Sequence, residues 1–199
     1  MLASLVFVVA AYLIGSISFA VVVSNVAGLP DPHTYGSGNP GATNVLRTGH
    51  KAAAALTLAG DGAKGWLAVF VAQQLGPSFG IADWTVPAVA LAVFVGHLFP
   101  VFHGFAGGKG VATAAGIMLA MSWPLAAALA AVWLVMALGF KISSLAALAV
   151  AALAPIGAFC MFGNAPTAWI WVAIAVLLFW RHRSNIEQLM SGSERKIGR

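Results

Sequence analysis

Residues 110–140 run GVATAAGIMLAMSWPLAAALAAVWLVMALGF without one charged side chain. An apolar helix of roughly 20 residues crosses the ~30 Å hydrocarbon core of a bilayer. The stretch therefore reads either as one long kinked helix or as two short ones broken at Ser122-Trp123-Pro124. Proline is poorly tolerated inside a helix and well placed at its start. The choice decides on which side of a membrane everything downstream lies.

The rest of the chain has the same character. Residues 1–30, 65–82, 84–96 and 142–180 also carry no charged side chain, and the 199 residues are 61% hydrophobic and 8% charged. Soluble domains of this length rarely reach such a composition. The uncharged runs do not alternate apolar and polar positions, which excludes a transmembrane β-barrel. The expectation is an all-α integral membrane protein. Its N-terminal run, MLASLVFVVAAYLIGSISFAVVV, lacks the basic leader and short apolar core of a signal peptide and reads as a first span. Spans are predicted near residues 1–24, 53–75, 84–100, 110–122, 124–140, 145–162 and 166–181, in a single domain over 1–199.

Charge supports the broken reading of 110–140. The basic residues are Arg47, Lys51, Lys64, Lys109, Lys141, Arg181, Arg183, Arg195, Lys196 and Arg199. With seven transmembrane helices, some of them short, these fall on or near one face and the other face keeps only Asp83. With six, Lys141 and the basic tail would lie across the membrane from Arg47 and Lys109. The positive-inside rule favours seven, with the N-terminus outside and the C-terminus cytoplasmic. At 1.5 Å per residue, 110–122 rises only roughly 20 Å, so it tilts, thins the bilayer or re-enters.

Two polar, glycine-rich loops then share the basic face. In HGFAGGKGVAT (103–113), Gly107, Gly108 and Gly110 surround Lys109. Glycines allow backbone N–H groups to converge, a nest that binds anions, and a helix starting near Gly110 adds its positive end. The spacing is not that of a nucleotide P-loop. The alternative is a flexible turn whose lysine snorkels to headgroups. In GSGNPGATNVLRTGH (36–50), Arg47 can grip a phosphate with two parallel hydrogen bonds, and Ser37, Asn39, Thr43 and Asn44 can read a polyol. The alternative is a helix start capped by Thr43 or Asn44. Two such loops on one face point to a small phosphorylated ligand.

Further polar groups accompany them. Asp61 and Lys64 lie three apart inside an apolar segment, where ionisable groups are expensive and face a partner or a cavity. They read as a structural ion pair. Ser143 and Ser144 follow Lys141 and default to helix caps. His182 and Asn185 share a helical face beside Arg181 and Arg183, which suit anionic headgroups. His97 and His103 flank the second loop with no carboxylate near them in sequence, and His97 reads as a structural histidine. The lone Cys160 reads as a packing residue, and no metal-ligand spacing occurs, so no metal and no cofactor are expected.

Taken together these residues resemble the bacterial acyl-phosphate:glycerol-3-phosphate acyltransferases, the PlsY family. The resemblance rests on Ser37-Gly38-Asn39-Pro40-Gly41-Ala42-Thr43-Asn44-Val45-Leu46-Arg47, then Gly107-Gly108-Lys109-Gly110-Val111-Ala112-Thr113 preceded by Gly96-His97 and Pro100, then Asn185-Ile186 with Gly192 and Glu194. It implies an inner-membrane enzyme with its site on the cytoplasmic side. Such an enzyme moves an acyl chain from acyl phosphate to the 1-hydroxyl of glycerol 3-phosphate, leaving lysophosphatidic acid and phosphate. It also implies that Ser37, Arg47, Lys109, Ser144, His182 and Asn185 line the glycerol-phosphate site while Gly107, Gly108 and Gly110 cradle the acyl phosphate. Membrane lipid surrounds the chain, no nucleic acid is involved, and a monomer is expected. A rival reading is a transporter of small phosphorylated metabolites. It would want basic groups at the midplane and paired repeats, and no repeat is visible.

Overall fold

The computed structural model describes residues 1–197, so Arg199, counted above with the basic face, lies outside the described residues. Every regular element among them is helical. The chain forms two compact units, residues 1–121 and 122–199.

The first unit contains α1 (Leu2–Gly15), α2 (Phe19–Val26), α3 (Ala42–Leu46), α4 (Lys51–Leu75), α5 (Thr85–Leu98) and α6 (Val111–Met121). α4 is its axis and packs against α1, α2, α3, α5 and α6, while α1 packs along α5. The α4–α6 seam is made by small residues. A methyl on Gly116 would strike the Gly62 carbonyl, and one on Gly65 would strike the Thr113 carbonyl, so the two backbones touch. Without a hydrophobic driving force between helices in lipid, such close approach supplies the packing.

The expected first span over 1–24 is two helices bent by 44° at Ser16-Ile17-Ser18. The bend has a partner that the apolar run does not reveal. The Lys64 ammonium donates to the Ile17 carbonyl at 2.7 Å. A carbonyl released by the break is thereby satisfied away from water, as the apolar surroundings require. The expected breaks elsewhere fall where the sequence places them. Met121 ends α6, and Ser122 caps the next helix with Pro124 in its first turn.

The second unit contains α7 (Trp123–Phe140), α8 (Ser143–Phe162), α9 (Pro166–Arg181) and α10 (Arg183–Met190). α8 packs on both α7 and α9, and α10 returns against α9. α7 buries only Leu129 and Ala137, while Val135 and Leu138 are more than two-thirds exposed. A helix this apolar on its exposed face matches lipid rather than water. Arg181 and Arg183 both lie over the Trp180 ring, at 5.7 and 5.1 Å, the arrangement of an interfacial aromatic belt.

By length and composition α7, α8 and the segment Thr85–His103 are each able to cross a membrane, and the bent α1–α2 pair makes a fourth. α6 and α9 are shorter apolar helices. Two short helices, α3 and α10, stand where no span is expected.

Candidate active site

In the first unit the loop before α3 is organised by one buried side chain. Asn44 is 2% exposed. Its Nδ2 donates to the carbonyls of Pro32 (2.9 Å) and Tyr35 (3.2 Å). Its Oδ1 accepts from the Ser37 N–H (3.0 Å), the Ser37 hydroxyl (3.3 Å) and the Arg47 guanidinium (3.4 Å). The helix-capping reading of Thr43 and Asn44 is therefore corrected. Gly41, in extended backbone, occupies the cap position, and both residues lie inside α3. Asn44 is the fastener that places Ser37 and Arg47 on one side of the loop. Ser37, Thr43 and Arg47 are exposed and Asn39 is half-buried.

The glycine-rich loop lies against this first loop. The Gly108 N–H donates to the His97 carbonyl at 3.1 Å. A methyl on Gly108 would meet the Pro40 carbonyl and the His97 ring, and one on Gly107 would meet the carbonyls of His97 and Leu98. Gly107, Gly108 and Gly110 are buried, and Lys109 is half-buried between them. The expected helix begins directly after, at Val111. Gly110, at φ +86°, makes a turn that a side chain would strain.

Behind the loop sits a buried polar cluster. Asp61 and Lys64 meet at 2.9 Å as an ion pair off the line of an ideal hydrogen bond, both nearly inaccessible. The i,i+3 pairing read from sequence is thus realised. His97 is drawn into it, with Nδ1 3.5 Å from Asp61 Oδ1. Its carboxylate comes from α4 rather than from its own neighbourhood in sequence. The Thr113 hydroxyl donates to the Asp61 backbone carbonyl at 3.0 Å, tying α6 to the same turn. The cluster fixes the His97 ring against which Gly108 rests.

The second unit gathers a different set. Ser144 is 4% exposed, and its hydroxyl donates to Glu194 Oε1 at 2.6 Å. Asn185 Nδ2 donates to the same oxygen at 2.8 Å. The default cap role for the serines fails here, because Ile142 is the cap and no side chain caps α8. Ser144 is the serine turned to a partner. His182, 3% exposed, stands at the junction of α9 and α10, and its Nδ1 lies 2.8 Å from the Leu178 carbonyl. A carbonyl only accepts, so the proton sits on Nδ1 and the lone pair of the neutral ring on Nε2. Glu194 is the member of this set to which the sequence assigned no role. In the sequence it figures only as part of the motif that follows Asn185-Ile186. The tail is anchored further by the Ile197 N–H, which donates to the Lys141 carbonyl at 2.6 Å. Among the described residues no cluster of three metal-ligating side chains occurs.

Chemically, the first unit offers buried glycine backbone flanked by one lysine and one arginine, a surface for anions. The second offers a hydroxyl, an amide and an imidazole held by a carboxylate and a carbonyl, a set suited to hydroxyl groups. A family model described as Glycerol-3-phosphate acyltransferase matches residues 5–192. The chain is 60% identical over 197 residues to the glycerol-3-phosphate acyltransferase of Cupriavidus pinatubonensis, covering 99% of this chain and 98% of that one. It is 57% identical over 191 residues to that of Neisseria meningitidis serogroup B, covering 96% of each. A crystal structure of PlsY (YgiH), an integral membrane glycerol 3-phosphate acyltransferase, in its glycerol 3-phosphate form, is 38% identical and superposes with a TM-score of 0.90. That likeness covers 98% of this chain and 96% of the other. The lysophosphatidic acid form of PlsY superposes with a TM-score of 0.88 at 37% identity, over 98% of this chain and 95% of that one. With both glycine-rich motifs and the Asn185 motif inside the matched span, the chain belongs to the PlsY family of glycerol-3-phosphate acyltransferases.

Proposed function

We propose that this chain transfers an acyl group from acyl phosphate to the 1-hydroxyl of glycerol 3-phosphate in a single displacement, with no acyl-enzyme. The hydroxyl oxygen attacks the acyl carbon, the bond from that carbon to the phosphate oxygen breaks, and inorganic phosphate leaves. The hydroxyl proton passes to a phosphate oxygen or to water. Acyl phosphate is a mixed anhydride with a good leaving group, so a nucleophile-activating dyad is not needed. The site has to hold two anions side by side and stabilise the developing oxyanion, for which the backbone N–H groups of Gly107 and Gly110 are suited, while Gly108 fixes the loop through its own bond to the His97 carbonyl. Lys109 and Arg47 neutralise the phosphates. Ser37, Asn39, Thr43, Ser144, His182 and Asn185 orient glycerol 3-phosphate, Asn44 acts by holding Ser37 and Arg47 in place, and orientation of a hydroxyl against an acyl carbon supplies much of the acceleration. Asp61 and Lys64 are structural.

The observation that carries this reading is the packing of the buried Gly108 backbone against the Pro40 carbonyl of the Ser37–Arg47 loop, which brings the two motifs into contact. We take residues 1–199 as one acyltransferase domain, because the family match runs through both units. The chain spans a bacterial inner membrane seven times, with the N-terminus outside and the C-terminus and site cytoplasmic, and acts as a monomer. The basic residues then stay on the cytoplasmic face. The acyl tail remains in lipid while soluble glycerol 3-phosphate arrives at the loops.

The test is phosphate release by detergent-solubilised protein from palmitoyl phosphate, with and without glycerol 3-phosphate. Release that requires glycerol 3-phosphate is expected, together with conversion of radiolabelled glycerol 3-phosphate to lipid. Unchanged label moved across vesicles would mean a transporter instead. Trapping an acylated serine or Cys160 would rule out direct transfer. A companion result concerns Glu194. Glu194→Ala removes the acceptor shared by the buried Ser144 hydroxyl and the half-buried Asn185 amide, and is expected to lower turnover about 100-fold. Glu194→Gln keeps an acceptor oxygen and is expected to lose only about tenfold, so equal losses would show that Glu194 does not act through these two bonds.

A further inference from the structure

A second pair of contacts joins the two loops, through a residue outside every motif. His33 precedes the Ser37–Arg47 motif. Asp31 Oδ1 accepts from the His33 backbone N–H at 2.9 Å and lies 2.7 Å from its Nδ1. On the other side of the ring, Nε2 lies 3.1 Å from the carbonyl oxygen of Ala106. An ionised carboxylate and a carbonyl are both acceptors only. Both contacts are hydrogen bonds at once only when both ring nitrogens carry protons. The neutral ring keeps one of them.

Asp31 is ionised in this arrangement. Its carboxyl is held below the usual range, first by the His33 backbone N–H and then by the His33 side chain. His33 keeps 26% of its side-chain surface and Asp31 55%, so the ring exchanges protons with solvent. Among the described residues, the other titratable group that acts on this ring is His103, on the turn Val101–His103 that leads into the glycine-rich loop. Lys64 acts electrostatically on His103 from α4.

The bond to Ala106 matters because of what shares its peptide plane. The Ala106 carbonyl and the Gly107 N–H belong to one planar trans peptide, since no cis bond occurs among the described residues. Holding the carbonyl toward His33 aims the Gly107 N–H the opposite way. We infer that His33, as an imidazolium bridging Asp31 and the Ala106 carbonyl, is a positioning residue that sets the direction of the Gly107 N–H in the acyl-phosphate cradle. This rests on reading that loop as the cradle. Histidine is the side chain that changes charge across physiological pH. The bridge is complete where the ring is protonated and loses a bond as pH rises.

The experiment measures KM for palmitoyl phosphate by phosphate release, between about pH 6 and about pH 8.5, in wild type, His33→Arg, His33→Gln and Asp31→Asn. Arginine keeps donors at every pH, and glutamine cannot span both acceptors. Wild-type KM is expected to rise about three- to tenfold relative to His33→Arg across the range, the scale of one partly exposed hydrogen bond. Taking the ratio cancels ionisation of the substrates and of the other histidines. His33→Gln is expected to have a raised KM throughout. Asp31→Asn replaces the anionic acceptor by a neutral one and is expected to raise KM at the low-pH end, where the bridge is complete. kcat is expected to fall alongside in the variant and at the pH where KM rises, because the same Gly107 N–H also meets the developing oxyanion. Parallel wild-type and His33→Arg curves, or a His33→Gln KM equal to wild type at low pH, would overturn the inference. A wild type that releases no phosphate would remove the underlying acyltransferase reading, and the inference with it.

Discussion

Gly108→Ala is expected to lower kcat/KM by at least about 100-fold in a protein that still folds. The added methyl carbon would stand 2.8 Å from His97 Cε1 and 2.9 Å from the Pro40 carbonyl oxygen, and closer still to His97 Nε2. Neither neighbour yields easily. Pro40 is buried backbone, and the His97 ring is held by Asp61 at 3.5 Å inside the α4–α5–α6 packing. The loop itself must shift, and it is the part placed against the reacting anhydride. A displacement near 1 Å there costs about as much as deleting an oxyanion donor, on the order of 10²- to 10³-fold. The loss should lie mainly in kcat, because Lys109 and Arg47 remain to attract phosphate. Gly139→Ala is the control, since a methyl there meets nothing within 4 Å and its backbone is helical. It is expected to leave rate and melting temperature unchanged. A Gly108→Ala enzyme within threefold of wild type would remove the glycine loop from the site.

How much of this was legible in the sequence depends on whether the responsible partner lay nearby in the chain. The break at Ser122-Trp123-Pro124 was legible because serine and proline carry their helix-start chemistry locally. The Asp61–Lys64 pair was legible because a three-residue spacing puts two side chains on one helical face. The bend at Ile17 was not, since nothing in an unbroken apolar run announces that a lysine from α4 will take its carbonyl. His97 looked isolated for the same reason, and its carboxylate arrives only when α5 packs on α4. Glu194 sits 50 residues from Ser144, in a polar tail whose composition suggests solvent. Asn44 reads from sequence either as a polyol-reading side chain or as a cap, because a short polar side chain suits a cap and a loop fastener equally well. The loop's own carbonyls, Pro32 and Tyr35, decided between them. The motifs themselves carried the family, while the groups that hold the motifs in place needed the fold.

The largest stability effect should come from breaking the Asp61–Lys64 pair on one side only. Asp61→Leu leaves the Lys64 ammonium buried, with the Ile17 carbonyl still accepting from it. Stranding a buried charge costs about 3–5 kcal/mol, which for a chain of this size is a loss of about 10 °C in melting temperature in detergent. Lys64→Met is expected to cost less. The carboxylate it leaves still faces His97 at 3.5 Å, an imidazole able to carry the compensating charge. The double variant Asp61→Leu/Lys64→Met removes both charges and should recover most of the Asp61→Leu loss, remaining about 1–3 kcal/mol below wild type because the Ile17 carbonyl has lost its donor. Activity should not return with it. His97 has then lost the carboxylate that fixes its ring, and Gly108 rests on that ring. Thermal unfolding and turnover measured on the same four proteins separate the two roles. Equal costs for the single variants, summing in the double, would show that the charges are uncoupled. Recovery of both stability and turnover in the double variant would instead mean that the pair serves the fold alone and that His97 is held by packing.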